Sequence, residues 1–287
     1  MTAAGAERRQ SHAVSGPVPA CGGGAQGARN ERPSTGGAGR HLEGPRAAGA
    51  ERRQSDTAFD AALRGAPARM VRSDGVEVVL AVQRWHADAA GDDAWLLARC
   101  TGPVVDLGCG PGRLVVALAR RGIPALGVDV SAAAVARCRA RGAAVLRRDV
   151  FAALPGRWDH VLLADGNIGI GGDPALLLRR AAALLRPGGT VLVETDPDPA
   201  ACWAGTARLH TPEGIGPALT WAVVGADALR EVAAPVGLEV TATHAGLRCF
   251  SELRLTHPVS AGAPRRRVAW ADGGSVRREG VRRRWTR

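Results

Sequence analysis

Lysine is absent from this sequence of 287 residues, and all 38 basic residues are arginine. Together with the abundance of alanine and glycine, this absence indicates a GC-rich coding bias, so clusters of arginine carry little weight as selected contacts. Also missing are an apolar run of about 20 residues, which a transmembrane helix needs, and the apolar core of an N-terminal signal peptide. We therefore expect a cytoplasmic protein without a membrane partner.

Cysteine is sparse, and its spacing excludes two classes of site. The six cysteines are widely separated, and none forms a C-x-x-C pair. Neither a disulfide framework nor a zinc site has this pattern. The sequence therefore predicts reduced, mostly buried thiols and no metal ion.

Basic charge is in excess only at the two ends of the chain. Of the formal net charge of +11, residues 1–55 carry +4 and residues 256–287 carry +7, whereas 21 arginines balance 21 acidic residues over 56–255. Residues 1–55 are poor in large apolar side chains and contain an exact nine-residue repeat (3–11 and 47–55). We expect a disordered basic extension (1–55), a folded domain (56–255) and a disordered arginine-rich tail (256–287), because such ends bury too little apolar surface to fold. A basic arm that binds an acidic partner, or RNA, is the alternative for these ends.

The most informative segment is V-V-D-L-G-C-G-P-G-R over residues 104–113. An apolar strand runs into glycines at alternate positions, and an apolar-periodic segment follows, which predicts a strand, a glycine turn and a helix start. Glycines let a ligand approach the backbone, and the helix N-terminus offers free N–H groups. This segment does not have the dinucleotide fingerprint G-x-G-x-x-G, because its third glycine comes one residue too early. This spacing argues against a nucleotide-binding oxidoreductase.

This segment resembles motif I of the class I S-adenosylmethionine-dependent methyltransferases, and the resemblance covers about residues 75–255. It implies an α/β fold of the Rossmann-like, doubly wound type. The expected sheet has seven mostly parallel strands with an antiparallel C-terminal strand and an inserted β-hairpin. The resemblance also implies S-adenosylmethionine as cofactor and SN2 transfer of its methyl group to a small-molecule acceptor. The sequence identifies neither that acceptor nor the oligomeric state.

Periodicity and turn residues predict the order of elements. Expected helices cover 59–63, 92–100, 114–121, 132–141, 176–185 and 225–232. Expected strands cover 76–82, 104–107, 123–129, 144–146, 158–165 and 190–194, followed by the pair 238–244 and 247–255. Two segments around a Thr211–Gly214 turn, 207–210 and 218–224, predict the inserted hairpin.

Acidic residues follow the strands after the glycine segment. Ligands bind outside the carboxyl ends of parallel strands, and Asp129 lies 17 residues beyond Gly112, near the spacing of a ribose-binding acid. The resemblance implies that Asp149 accepts the adenine amino group and that Val150 packs on the ring. The predicted cofactor-binding residues are Asp106, Gly108, Cys109, Gly110, Gly112, Asp129, Val130, Asp149, Val150 and Asp165.

The acceptor side is expected around a glycine-rich loop after the fourth parallel strand. Asp165 and Asn167 are its polar groups nearest the sulfonium or the acceptor, with turn capping as the alternative role. His210 and Trp221 are candidates on the inserted hairpin, and the predicted catalytic set is Asp165, Asn167 and His210. Residues 84–86, which are Arg, Trp and His, are candidates for a lid, with core packing as the alternative for the Trp.

Two further functions are alternatives to this one. A nucleic-acid methyltransferase is suggested by the basic ends, but the N-P-P-Y or D-P-P-Y sequence of amine methylation and the Pro-Cys pair of cytosine C5 methylation are both absent. The neutral central region also lacks a footprint for phosphates, so we expect no nucleic-acid partner. A non-catalytic cofactor-binding module is disfavoured because Asp106, Asp129 and Asp149 are all intact.

Overall fold

The computed structural model describes residues 58–256. The predicted disorder of 1–55 lies outside these residues, and so does that of the tail apart from Thr256. Within the described part of the chain, no helix is both long and apolar enough to cross a bilayer.

A central sheet of seven strands organises the molecule. Its strands are β3 (Val104–Leu107), β4 (Ala125–Asp129), β5 (Val145–Arg147), β6 (Trp158–Leu163), β7 (Leu185–Thr195), β10 (Leu238–Ala245) and β11 (Cys249–Leu255). The order across the sheet is β10-β11-β7-β6-β3-β4-β5. Strands β3 to β7 pair in parallel, and β11 is antiparallel to both of its neighbours. The predicted doubly wound, mostly parallel sheet is therefore confirmed, and its strand order reverses at β3.

Over residues 58–256, seven helices accompany the two sheets, and the last five of them pack on the faces of the central sheet. They are α1 (Asp60–Leu63), α2 (Val82–His86), α3 (Asp93–Arg99), α4 (Arg113–Arg120), α5 (Ala132–Ala140), α6 (Pro174–Leu184) and α7 (Ala226–Ala233), with a 3-10 segment at Asn167–Gly172. Local sequence explains their starts. Ser131 caps α5 by accepting the Ala134 amide at 3.2 Å, and Asp173 caps α6 immediately before a proline at its first position.

Successive residues of the parallel strands enter different cores. Val161 and Val191 pack with α6 and α7, whereas Leu162 and Leu192 pack with α3 and α4. Because side chains alternate across a strand and both faces are covered, these strands are apolar at nearly every position. This is why the sequence shows continuous apolar runs at these strands.

A second, four-stranded antiparallel sheet lies over the carboxyl ends of the central strands; we call it the lid sheet. It contains β1 (Arg69–Arg72), β2 (Glu77–Val79), β8 (Cys202–Thr211) and β9 (Gly214–Val224), in the order β2-β1-β8-β9. The predicted inserted hairpin is β8–β9 and is longer than expected. Its pairing with β1, which places Met70 opposite Leu209, has no counterpart in the predicted elements.

The predicted strand at 76–82 is only partly correct. The strand covers Glu77–Val79, and Val82 begins α2 instead. The cause is packing, because Val82 is buried in an apolar cluster with Met70 and Leu209 beneath the lid sheet. A helical turn then brings Trp85 to the same cluster.

The core of the α6 face allows a matched test of packing. Leu177→Ala should lower the free energy of unfolding by about 2–5 kcal/mol, because a fully buried side chain leaves a cavity when it is truncated. Leu176→Ala, at a neighbouring position that is 39% exposed, should cost far less. Urea denaturation of the two variants measures the difference, and equal losses would contradict the described orientation of α6.

Candidate active site

A cavity of about 350 Å³ lies between the carboxyl ends of the central strands and the lid sheet. It sits where the strand order reverses, the position at which open α/β sheets bind ligands. Several predicted site residues line it together, although they come from separate parts of the chain. They are Gly108, Cys109, Gly110, Asp129, Val130, Asp149, Val150, Asp165 and Asn167.

The glycine loop needs its glycines for two different reasons. Gly108 has φ +77°, and a Cβ there would lie 2.7 Å from Nδ2 of Asn167. Gly112 has φ +82° and directly precedes the first residue of α4. A Cβ on Gly112 would collide with the sulfur of Cys138. Gly112 is not part of the cavity lining, so its role there is to complete the turn and let α5 pack closely.

Asp129 ties the end of β4 to the glycine loop. Its Oδ2 accepts the Gly110 amide and its Oδ1 accepts the Ser131 amide, each at 2.9 Å. Asp149, after β5, accepts the Phe151 amide at 2.8 Å. Both carboxylates line the same cavity, with Val130 and Val150 as apolar neighbours. The predicted ribose and adenine residues are therefore brought together, and their contacts to a cofactor stay a prediction.

Cys109 in the loop and Asp106 at the end of β3 both have raised pKa values. A hydrogen bond with the Cys138 thiol, together with burial, raises the pKa of Cys109 well above its ordinary value. Burial raises the pKa of Asp106 to about 7, and the nearby Arg113 guanidinium only partly opposes this. Oδ1 of Asp106 and Nε of Arg113 have no hydrogen-bond partner among the described residues. Asp106 lies outside the cavity lining.

Asp165 is held by three arginines. Its Oδ1 accepts from Arg84 at 2.9 Å and from Arg248 at 3.3 Å, and its Oδ2 accepts from Arg113 at 2.8 Å. It is also the one non-glycine residue within 58–256 with a positive φ, +54°. Such a conformation is uncommon and needs support from its surroundings. The ion pairs provide that support.

These contacts belong to a larger arginine–carboxylate cluster. Arg248 also binds Glu194, with Nε 2.9 Å from Oε1, and both Arg113 and Arg248 bind Asp93. Although burial opposes ionisation, hydrogen bonds from these two arginines keep the pKa of Asp93 below its ordinary value. Three guanidiniums thus face three carboxylates. The cluster consists of Arg84, Arg113, Arg248, Asp93, Asp165 and Glu194.

This cluster has no counterpart in the sequence-based predictions. The sequence marks Arg84 only as a lid candidate, places Arg113 after the glycine motif without a role, and does not distinguish Arg248. Arg248 reaches Asp93 across 155 positions of sequence, a pairing that periodicity cannot reveal. The available signal was the arginine placed directly after the glycine motif.

The predicted catalytic residues are placed differently from one another. Nδ2 of Asn167 donates to the carbonyl oxygens of Leu107 at 3.0 Å and Gly108 at 2.8 Å, so Asn167 fastens the 3-10 segment to the glycine loop. Trp221 lines the cavity, with its ring 5.4 Å from that of Phe59. His210 is not in the lining of this cavity, and its catalytic role stays a prediction.

A bulge explains the position of His210. The hairpin begins with Thr211 opposite Gly214 and His210 opposite Ile215. A register shift between Arg208 and His210 then places Trp221 opposite Gly205. Without that shift, His210 and Trp221 would share a face of the lid sheet. A shift of one residue moves the side chains to opposite faces.

Comparison with known proteins identifies the family. The sequence model described as "Methyltransferase domain" matches residues 81–243, more than half of the chain. The chain belongs to the methyltransferase-domain family. The prediction of a class I S-adenosylmethionine-dependent methyltransferase is thereby confirmed for family and fold, with S-adenosylmethionine as the family's cofactor.

Individual relatives are more distant. The chain is 37% identical over 100 residues to a ubiquinone biosynthesis O-methyltransferase of Methylococcus capsulatus, a match covering 32% of this chain and 42% of that protein. The ubiquinone biosynthesis O-methyltransferase of Pseudomonas aeruginosa is 35% identical over 101 residues. That match covers 32% of this chain and 43% of that protein. The chain thus spans less than half the length of these curated relatives. A solved S-adenosylmethionine-dependent methyltransferase of Bacteroides fragilis, in complex with S-adenosyl-L-homocysteine, has the same fold with a TM-score of 0.60 and 19% identity, covering 71% of this chain and 97% of that one.

The described residues fit the family's cofactor. The glycine loop and the carboxylates that follow β4 and β5 line one cavity, with Val130 and Val150 as apolar neighbours. Over residues 58–256, no three His, Cys, Asp or Glu side chains converge as a metal site requires.

Asp106 predicts a dependence of stability on pH. The folded protein keeps this carboxyl protonated up to a pKa of about 7, whereas the ordinary value is 3.8, so unfolding releases a proton between these values. Stability should therefore fall as pH rises through this window. Asp106→Asn should raise the melting temperature at about pH 8, and the gain should shrink towards about pH 5.

Asp227→Asn is the control for Asp106, because Asp227 is exposed on α7 and pairs with Arg230 at 2.8 Å. Differential scanning fluorimetry across pH measures both variants. A gain for Asp106→Asn that is the same at both pH values would contradict the buried neutral carboxyl.

The cluster predicts a large cost for losing one cation. Arg248→Met should lower the free energy of unfolding by about 3–5 kcal/mol, because Glu194 and Asp93 would stay buried with less compensation. Arg254→Met is the matched control, since Arg254 is half-exposed and pairs with Glu252 on the same strand. Urea denaturation measures the free energy of unfolding of both variants. If Arg248→Met lowers it by no more than the control does, the prediction is refuted.

Proposed function

We propose that this protein transfers a methyl group from S-adenosylmethionine to a small-molecule acceptor bound in the same cavity. One observation carries the proposal. The glycine loop, Asp129 and Asp149 line one end of a cavity that continues under the lid sheet to Trp85 and Trp221. One continuous cavity therefore offers room for a donor and an acceptor side by side.

The cofactor would lie along the ends of β3, β4 and β5. In this proposal Asp129 accepts hydrogen bonds from ribose hydroxyls, and Asp149 accepts the adenine amino group. Val130 and Val150 contact the adenine ring. The glycine loop, with Gly108 and Gly110, lies against the remaining part of the molecule.

When bound, S-adenosylmethionine supplies a methyl group on a positively charged sulfur, which is already a strong electrophile. The residues of the chain then have to align the acceptor and exclude water. We assign this alignment to the segment from Asp165 to Asn167, which the cluster and the glycine loop hold in place. The lid sheet supplies the opposite wall of the cavity.

The relatives support an acceptor of small size. The two curated relatives are named for O-methylation in ubiquinone biosynthesis. The cavity volume lies within the range of small-molecule sites, about 300–1,000 Å³. The neutral charge of residues 56–255 supports the same choice. The cytoplasmic location stays a prediction.

Asp129 provides the test of cofactor binding. Asp129→Ala should weaken the affinity for S-adenosyl-L-homocysteine by at least about tenfold, because a charged acceptor of hydrogen bonds is removed from the cavity. Isothermal titration calorimetry with the full chain measures this affinity. Asp173→Ala is the control, since its carboxylate caps α6 and is not part of the lining.

Two outcomes would overturn the proposal. One is an unchanged affinity of Asp129→Ala for S-adenosyl-L-homocysteine. The other is thermal stabilisation of the original protein by NAD but not by S-adenosyl-L-homocysteine.

A further inference from the structure

We propose that the acceptor is a flat, apolar aromatic molecule that carries an N–H or O–H group, and that Asp196 accepts the hydrogen bond from that group. This inference rests on the proposed function and assigns its acceptor half. Asp196 lines the cavity immediately after β7, on the side of the sheet away from the end of β5.

The walls of the acceptor half are apolar and aromatic. Met70 lies on β1 of the lid sheet, and Leu80 directly follows β2. Phe59, Trp85 and Trp221 supply three aromatic rings. The rings of Phe59 and Trp221 are tilted by 41° to each other. Aromatic rings prefer such offset or tilted partners, so this wall favours an aromatic ligand over a flexible polar one.

The cations of the lining are already occupied. Arg72 donates to Asp74 with Nε 3.0 Å from Oδ1, and its guanidinium lies 4.2 Å above the centre of the Trp203 ring. Arg113 is bound within the arginine–carboxylate cluster. An acceptor carrying a phosphate or carboxylate would therefore have to compete with an existing ion pair, which favours an uncharged acceptor.

Asp196 differs from the other carboxylates of the lining. Asp129 and Asp149 belong to the cofactor half, and Asp165 and Glu194 are bound by arginines. The side chain of Asp196 accepts a single backbone amide, that of Asp198, at 2.9 Å through Oδ1. No basic side chain within residues 58–256 pairs with it, which leaves Oδ2 for a ligand.

The backbone holds Asp196 in a defined place. Its amide donates to the carbonyl oxygen of Val224 at 2.9 Å, and it forms an isolated bridge with Gly225. Asp196 therefore lies where the end of β7 meets the end of β9, with Val223 and Val224 beside it in the lining. A carboxylate anchored in this way adds direction to a hydrogen bond as well as charge.

The chemistry of methyl transfer gives this carboxylate a task. A lone pair on the acceptor oxygen or nitrogen forms the new bond to the methyl carbon, and the carbon–sulfur bond breaks with its electron pair going to sulfur. The acceptor then carries an extra proton, which passes to Oδ2 of Asp196. Proton acceptance by a positioned carboxylate is general base catalysis.

Three naphthalene derivatives of similar shape test the aromatic acceptor and the role of Asp196 separately. They are 1-naphthol, 1-naphthylamine and 1-methylnaphthalene. Their dissociation constants are measured by equilibrium dialysis against the full chain saturated with S-adenosyl-L-homocysteine. We expect all three to bind, with the first two about tenfold tighter. Asp196→Ala should remove this advantage and leave 1-methylnaphthalene unchanged.

Asp198→Ala is the matched control, because its carboxylate accepts the Ala200 amide at 3.0 Å and is not part of the lining. It should leave all three affinities unchanged. If none of the three probes binds, the aromatic assignment is wrong. If Asp196→Ala changes the affinities of all three probes by the same factor, the role of Asp196 is wrong. If S-adenosyl-L-homocysteine still binds, either result refutes this inference alone. If the original protein does not bind S-adenosyl-L-homocysteine, the proposed function itself is refuted.

Discussion

The buried arginine–carboxylate cluster is the interaction on which the site depends. It joins α2, the start of α3, the start of α4, the ends of β6 and β7 and the turn between β10 and β11. Charges removed from water are tolerated only when each finds a partner with good geometry. The loops that shape the cavity floor are therefore stable together, and none of them is ordered by local sequence alone. Asp165 shows this most directly, because its positive φ is maintained by contacts from three distant arginines.

The glycine loop and the cluster meet at Arg113. The residue ends the motif, begins α4 and points its guanidinium at Asp93 and Asp165. Asn167 makes a second connection, from the 3-10 segment back to the carbonyl oxygens of the loop. The proposed donor and acceptor halves are thus linked by short polar contacts through one rigid wall.

Local features of the sequence were enough to predict the central sheet, the glycine turn and the acids that follow β4 and β5. Each of these depends on a pattern within a few residues, such as the apolar run of β3 or the distance from Gly112 to Asp129. The cluster and the pairing of β1 with β8 could not be predicted, because their partners lie far apart in the chain. His210 shows a third kind of limit. Alternation places it on the same face as Trp221 in a regular hairpin, and a single bulge puts the two residues on opposite faces.

The lid sheet also bears on how the molecule is assembled during synthesis. Its two halves flank the entire parallel part of the central sheet, since β1 and β2 precede β3 whereas β8 and β9 follow β7. The pairing of Arg72 with Ala207 has to wait until the chain beyond β8 has emerged from the ribosome. Long-range strand pairing of this kind slows folding, because a large loop must close before its contacts form. The lid sheet therefore cannot be completed before all the parallel strands of the central sheet have been synthesised.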